Sequence, residues 1–231
     1  MQRFEPFLAT LEMVTPVILR ASLTLDAILI GENALYVGDA AAIRDVPLAK
    51  RNGVPLASQA YLDAVDMITV HKAVTMRQTE ASRMPLHAIA LGRRASFSGE
   101  AYKNTLNTYE GISVRRIVFA GVGDTDAIRD VLEDVRGIGT RRADGFGMIS
   151  SCTVEPFDAD PAIWGLVDPE GEPMRPVPLA MWANLGGTRS PVIQAVRARP
   201  FYWDVRNPAE ACAVPPDMDA VRLIRMLEAA A

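Results

Sequence analysis

An α+β fold is what this sequence predicts, on three grounds: apolar residues that alternate or run on over strand lengths, helical spacing between them, and enough hydrocarbon for one core. Of the 231 residues, 49% are apolar and 23% are charged. A chain of this size hides roughly 70–75% of its unfolded surface on folding.

The first expected strand is 17–25, where Ala21, Leu23 and Leu25 alternate with Ser22 and Thr24. Asp26 stands where a helix N-cap would, and the apolar stretch from Ala27 to about Ile43 reads as a helix interrupted by Gly31 and Gly38. Two short strands are expected within 54–70. Residues 71–111 lack sustained periodicity and read as a hairpin or protruding insertion. From Ile112 to Ala120 the apolar content is that of a strand. Asp124, Thr125 and Asp126 then supply an acidic cap and first turn, after which Ile128, Val131, Leu132 and Val135 recur at helical spacing. A glycine loop at 137–147 and a strand at 148–154 follow. The order is βαββαβ, a ferredoxin-like unit. Its helices should pack on one face of an antiparallel sheet and leave the other face free for a ligand.

This unit is expected over 1–155, with the insertion at about 71–111 forming a thumb. The remaining 156–231 should form a C-terminal extension. Eleven of the sixteen prolines lie within 155–216, where a turn is expected at Asp168, Pro169, Glu170 and Gly171. A last helix, about 217–229, puts Met218, Val221, Ile224 and Leu227 on one face.

Several function classes are excluded by composition. Cys152 and Cys212 are the only cysteines and His71 and His87 the only histidines, in no metal-ligand spacing, so neither metal nor cofactor is expected. No run of eighteen apolar residues occurs, and Glu5 and Pro6 stand where a signal peptide would be apolar; a cytoplasmic chain without membrane contact is expected.

The net charge of −4 hides an uneven distribution. Residues 71–116 hold Lys72, Arg77, Arg83, Arg93, Arg94, Lys103, Arg115 and Arg116 against three acidic residues, while the segments on either side are net acidic. Such an island suits an anion, the alternative being a solvated loop. The second cationic feature is 136–147, with Arg136, Arg141 and Arg142 among Gly137, Gly139, Gly145 and Gly147. Glycines permit positive φ and close backbone approach to phosphate, arginines grip phosphate bidentately, and Phe146 offers a ring for stacking. The spacing is not that of a dinucleotide fingerprint, and the loop follows a helix rather than a strand.

Helix, Gly-Ile-Gly-Thr-Arg-Arg-Ala-Asp-Gly-Phe-Gly, then strand resembles the C-terminal glycine-rich loop of the RAMP superfamily of CRISPR-associated proteins, built on ferredoxin-like (RRM-like) domains. With the opening Leu-Thr-Leu-Asp-Ala-Ile-Leu-Ile, the chain looks most like the subunit of type IV effector complexes that binds the 5′ handle of the CRISPR RNA (crRNA). The resemblance covers about 15–155. It implies a non-catalytic RNA-binding subunit of a ribonucleoprotein effector complex, capping the 5′ handle. The loop residues Gly137, Gly139, Arg141, Arg142, Gly145 and Gly147 would lie against RNA backbone, with the thumb beside bases. His71, Lys72 and the basic residues of the island would add RNA contacts. The backbone and large subunits are expected as partners, with target DNA near the protospacer-adjacent motif as a further one.

Some relatives cut repeat RNA without metal, using a histidine in or near the first helix. None lies within 26–44 here, leaving His71 beside Lys72 as the candidate base for the alternative, a metal-independent endonuclease. A protein-only scaffold is the third possibility.

Overall fold

The structure is a computed structural model, described for residues 4–19, 22–74, 105–187, 191–200, 202, 204 and 207–216. It divides into two compact units, one of 1–66 with 112–231 and one of 67–111. The expected helix at 217–229, and most of the expected thumb, lie outside the described residues.

The first unit is built on a four-stranded sheet. Strand β1 is Glu5–Met13, β4 is Tyr61–Val74, β5 is Thr105–Gly123 and β6 is Ile149–Pro156; they lie in the order β4-β5-β1-β6. Strand β1 runs antiparallel to both neighbours, with Ala9 opposite Phe119 on one side and Val154 on the other. Helix α1 (Leu25–Val37) lies between β1 and β4 in the chain, and helix α3 (Thr125–Asp134) between β5 and β6. A short helix α2 (Asp39–Arg44) and the two-residue strands β2 (Lys50–Arg51) and β3 (Val54–Pro55) intervene before β4. This α+β arrangement is compatible with a ferredoxin-like fold.

Alternation along the central strands explains the layers. Phe7, Ala9 and Leu11 of β1 and Ile117 and Phe119 of β5 face α1 and α3, meeting Leu25, Leu29, Ile128 and Leu132, all essentially inaccessible to solvent. Burying each of the large side chains stabilises the fold by about 1.5–3 kcal/mol relative to exposure. In α3 the Asp124 carboxylate accepts from the Ala127 amide at 3.2 Å, the cap expected from sequence.

Three expectations are corrected. The first strand is 5–13 rather than 17–25; the latter segment touches the sheet only through isolated pairings of Val17 with Ile112 and Thr24 with Gln59. Thr24, not Asp26, holds the N-cap position of α1, and the expected helix breaks at Gly38, whose φ of +79° separates α1 from α2. The third concerns the opposite face of the sheet. Val118, Ala120 and Val122 of β5 are buried there against Trp164, Leu166, Met174 and Met181, so much of the face expected to be open is covered. The cause is the unbroken apolar run Ile117–Val122, the mark of a strand buried on both faces.

The covering segment continues through β7 (Val177–Pro178), the four-residue helix α4 (Leu179–Trp182), β8 (Val192–Val196) and β9 (Glu210–Val214), the strands pairing in the order β7-β9-β8. The turn expected near Asp168 is present, its Gly171 amide donating to the Asp168 carbonyl at 3.0 Å. One fully buried cation ties this segment down. Arg175 donates through one terminal nitrogen to Asp26 Oδ1 at 2.9 Å and to the carbonyls of Pro55 and Ala57. Through the other it donates to the Ala198 carbonyl and the Tyr202 hydroxyl, which in turn donates to the Asp26 carboxylate.

Candidate functional site

The glycine loop is fixed by its own backbone. Leaving α3, the chain pairs Gly137 with Met148, the Ile138 amide donating to the Gly147 carbonyl at 2.9 Å and the Ile149 amide to the Arg136 carbonyl at 3.1 Å. Between them lies a 3-10 turn, Arg142–Asp144, entered through Arg141 at a left-handed φ of 62°. The loop is pinned to the segment after β1. Thr140 donates its amide to the Ile18 carbonyl at 2.9 Å and Gly147 donates to Pro16 at 2.8 Å.

Two of the glycines are required by these approaches. At Gly147, with φ of +69°, an added Cβ would lie 1.9 Å from the Ile138 carbonyl oxygen; at Gly139, with φ of +80°, it would lie 2.7 Å from that of Ile18. Gly145 instead faces open space. The Gly145 and Gly147 amides donate to Arg142 and Pro16, so they are not aimed at an external anion. What the loop presents outward is side chains.

Arg136, Arg141, Arg142 and Phe146 are those side chains. Arg141 and Arg142 are exposed and Phe146 is half-buried. Arg141 lies 3.9 Å from Asp144, and Arg142 donates to the Gly137 carbonyl at 3.3 Å. Two adjoining grooves flank Arg142. The first, of about 220 Å³, runs between α1 and the loop and is walled by Leu23, Ala27, Ile28, Leu35, Gly137, Ile138 and Gly139. The second, of about 320 Å³, is lined by Arg136, Asp134, Gly145, Phe146 and Met148. Arg142, Gly137 and Glu32 line both. Glu32 escaped the sequence reading, although it follows Ile28 by one helical turn and so shares its face of α1.

The other expected cations fall elsewhere. Arg115 is bound bidentately by Asp63, Nε to Oδ2 at 3.2 Å and a terminal nitrogen to Oδ1 at 3.0 Å, and Arg116 Nε lies 3.2 Å from the same carboxylate. The Arg115 hydrogen bonds, opposed by burial, hold the Asp63 carboxyl below its usual range. In the second unit, His71 is exposed on β4 with Nδ1 3.1 Å from Thr108 Oγ1. Lys72 lies in β4, its side chain outside what is described; Arg77, Arg83, Arg93, Arg94 and Lys103 lie outside the described residues altogether. The structure therefore places Arg142 at both grooves and Arg136 at the second, while Arg141 lines neither. It places Arg115 and Arg116 at a separate carboxylate.

Among the described residues, no group of three or more His, Cys, Asp or Glu is arranged to hold a metal ion. Nor is any described helix long and apolar enough to cross a membrane.

Residues 72–213 match the family described as CRISPR type IV associated protein Csf3. The chain belongs to this Csf3 family. The match takes in the cationic island and the glycine loop, and it runs on through β9, beyond the 15–155 over which the motifs carried the resemblance. The type IV assignment drawn from those motifs agrees with Csf3 membership. Among curated proteins nothing matches. Among solved structures, one similar chain belongs to the cryo-EM structure of the Type III-B Cmr-beta bound to cognate target RNA, at 12% identity and a TM-score of 0.37. The alignment covers 66% of this chain and 61% of that one.

Proposed function

We propose that this Csf3-family chain is a non-catalytic RNA-binding subunit of a CRISPR ribonucleoprotein effector complex, of ferredoxin-like βαββαβ RAMP type, that caps the 5′ handle of the crRNA. One observation carries the reading: in a chain of this family, a glycine loop held by its own backbone hydrogen bonds sets Arg142 at two adjoining grooves, with Arg136 and half-buried Phe146 lining the second and exposed Arg141 next to Arg142 in the chain. Guanidiniums on a fixed turn are suited to phosphate oxygens, and an aromatic ring beside them to an unstacked base. Basic residues of the cationic island at 71–116 are RNA contacts in this reading as well, and the acidic segments on either side are its contacts with the backbone and large subunits. Target DNA near the protospacer-adjacent motif is a further contact in this reading, and the complex works in the cytoplasm.

The test is assembly on guide RNA across a salt series. Arg141→Glu with Arg142→Glu should abolish recovery of the subunit in the RNA-bound complex. For single substitutions to Gln, the salt dependence should weaken by about 0.7 in slope per lost phosphate contact. Undiminished assembly and an unchanged slope would remove the basis for the proposal. Repeat RNA incubated with the protein in EDTA should stay intact; cleavage that disappears in His71→Ala would replace the capping role with an endonuclease.

A further inference from the structure

The grooves at the glycine loop are not built as a simple anion site. Arg136 and Arg142 line the larger one, but so do Asp134 and Glu32, leaving cations and carboxylates in balance. Glu32 also lines the smaller groove, where Leu23, Ile28 and Leu35 add hydrocarbon on the same side. It is half-buried, and no hydrogen bond or ion pair is found for it among the described residues, Arg142 included. A carboxylate there repels phosphate and does nothing for an apolar ligand. It accepts hydrogen bonds only.

We infer that the groove between α1 and the glycine loop seats one unstacked nucleobase of the RNA, and that Glu32 selects guanine at that position. The inference rests on the RNA-binding reading above and names the base-reading residue within it. Guanine presents two adjacent donors on its Watson–Crick edge, N1–H and the 2-amino group, which match the two oxygens of a carboxylate. Adenine and cytosine each place a ring-nitrogen acceptor beside their amino group, and uracil flanks its one N–H with carbonyls, so each opposes a carboxylate. At about 220 Å³ the groove is smaller than the roughly 300–1,000 Å³ clefts that take drug-sized ligands, in keeping with a single base rather than a longer segment. The leucine and isoleucine side chains contact the base plane.

The experiment uses the assembled complex with guide RNAs randomised over the handle, recovered on the complex and sequenced. The wild-type chain should enrich guanine at one handle position by roughly 5- to 150-fold, the range a bidentate base contact supplies. Glu32→Gln, which keeps size and shape but substitutes a donor for one acceptor, should remove that enrichment. Synthetic guides with inosine at the position, lacking the 2-amino group, should bind the wild type more weakly and Glu32→Gln unchanged. If no position changes its guanine enrichment in Glu32→Gln, the inference is overturned, whether or not Arg141 and Arg142 prove essential. If the Arg141 and Arg142 substitutions leave assembly intact, it is the underlying RNA-binding reading that fails.

Discussion

Asp26→Asn should be strongly destabilising in the native protein and nearly neutral, or stabilising, once Arg175 has been replaced by Met. In the native chain both groups are fully buried and 2.9 Å apart. Burial works against the charged guanidinium, but the Asp26 carboxylate and the Tyr202 hydroxyl outweigh it and hold Arg175 ionised. Removing one partner of such a pair leaves an uncompensated buried charge, at a cost of about 3–5 kcal/mol. For a domain of this size, where 1 kcal/mol moves Tm by about 2–4 °C, that is about 6–20 °C. Arg175→Met costs at least as much, because the carbonyls of Pro55, Ala57 and Ala198 lose their donor too. In the Met background the carboxylate is the orphan, retaining only the Tyr202 hydroxyl, and its neutralisation relieves the fold. Urea unfolding of the four chains, followed by circular dichroism and by the fluorescence of buried Trp164 and Trp182, measures the cycle. Equal cost of Asp26→Asn in both backgrounds would refute the buried-pair argument.

Two further outcomes are expected alongside the RNA tests. Gly147→Ala should destabilise by about 1–3 kcal/mol from backbone strain alone, and by more because its Cβ would press on the Ile138 carbonyl. Gly145→Ala, which meets nothing, should show the strain without the collision, and urea midpoints of the two variants compare them directly. Acid stability should depend on Asp63, whose carboxyl is held low chiefly by Arg115. A depressed folded-state pKa contributes stability that is fully present above the unfolded value of about 3.9 and is lost as pH falls through the folded one. Asp63→Asn should therefore flatten the acid limb of a Tm-against-pH curve below about pH 4 and lower Tm at neutral pH; an unaltered acid limb would remove Asp63 from the account.

What the sequence makes legible is local. Strand β5, the Asp124 cap, the apolar stripe of α3 and the turn at Asp168 each announce themselves through spacing or a capping side chain, and each is present. Strand β1 carried a shorter signal, since only Ala9 and Leu11 alternate with Thr10 and Glu12. The segment 17–25 shows the same alternation without continuous pairing, because membership in a sheet depends on neighbours distant in the chain. Arg175 was not legible at all. It stands in a proline-rich stretch with no periodicity, and its partners Asp26 and Tyr202 lie 149 and 27 residues away. At the glycine loop, composition identified Arg136 and Arg142, which line the grooves, along with Arg141, which does not. It did not reveal that Gly139 and Gly147 serve close packing against 16–18 and Ile138.

The covered sheet face bears on where RNA can bind. Ferredoxin-like RNA binders of the RRM kind stack bases on the open face of the sheet. Here the positions Val118, Ala120 and Val122 are filled from above by Trp164, Leu166 and Met174. Elsewhere on that face Thr10 stands opposite Thr153, and Glu12 opposite both Arg116 and Ser151. These five residues include no aromatic ring, and the single cation among them is 3.2 Å from the Asp63 carboxylate. A base laid over these five residues would meet neither a ring nor a cation clear of a carboxylate. The glycine loop has Phe146 and two exposed arginines on a turn locked by eight backbone hydrogen bonds or more. Under the proposed function, burying the sheet face favours nucleotide contact at the loop and α1, where Glu32 would read a base.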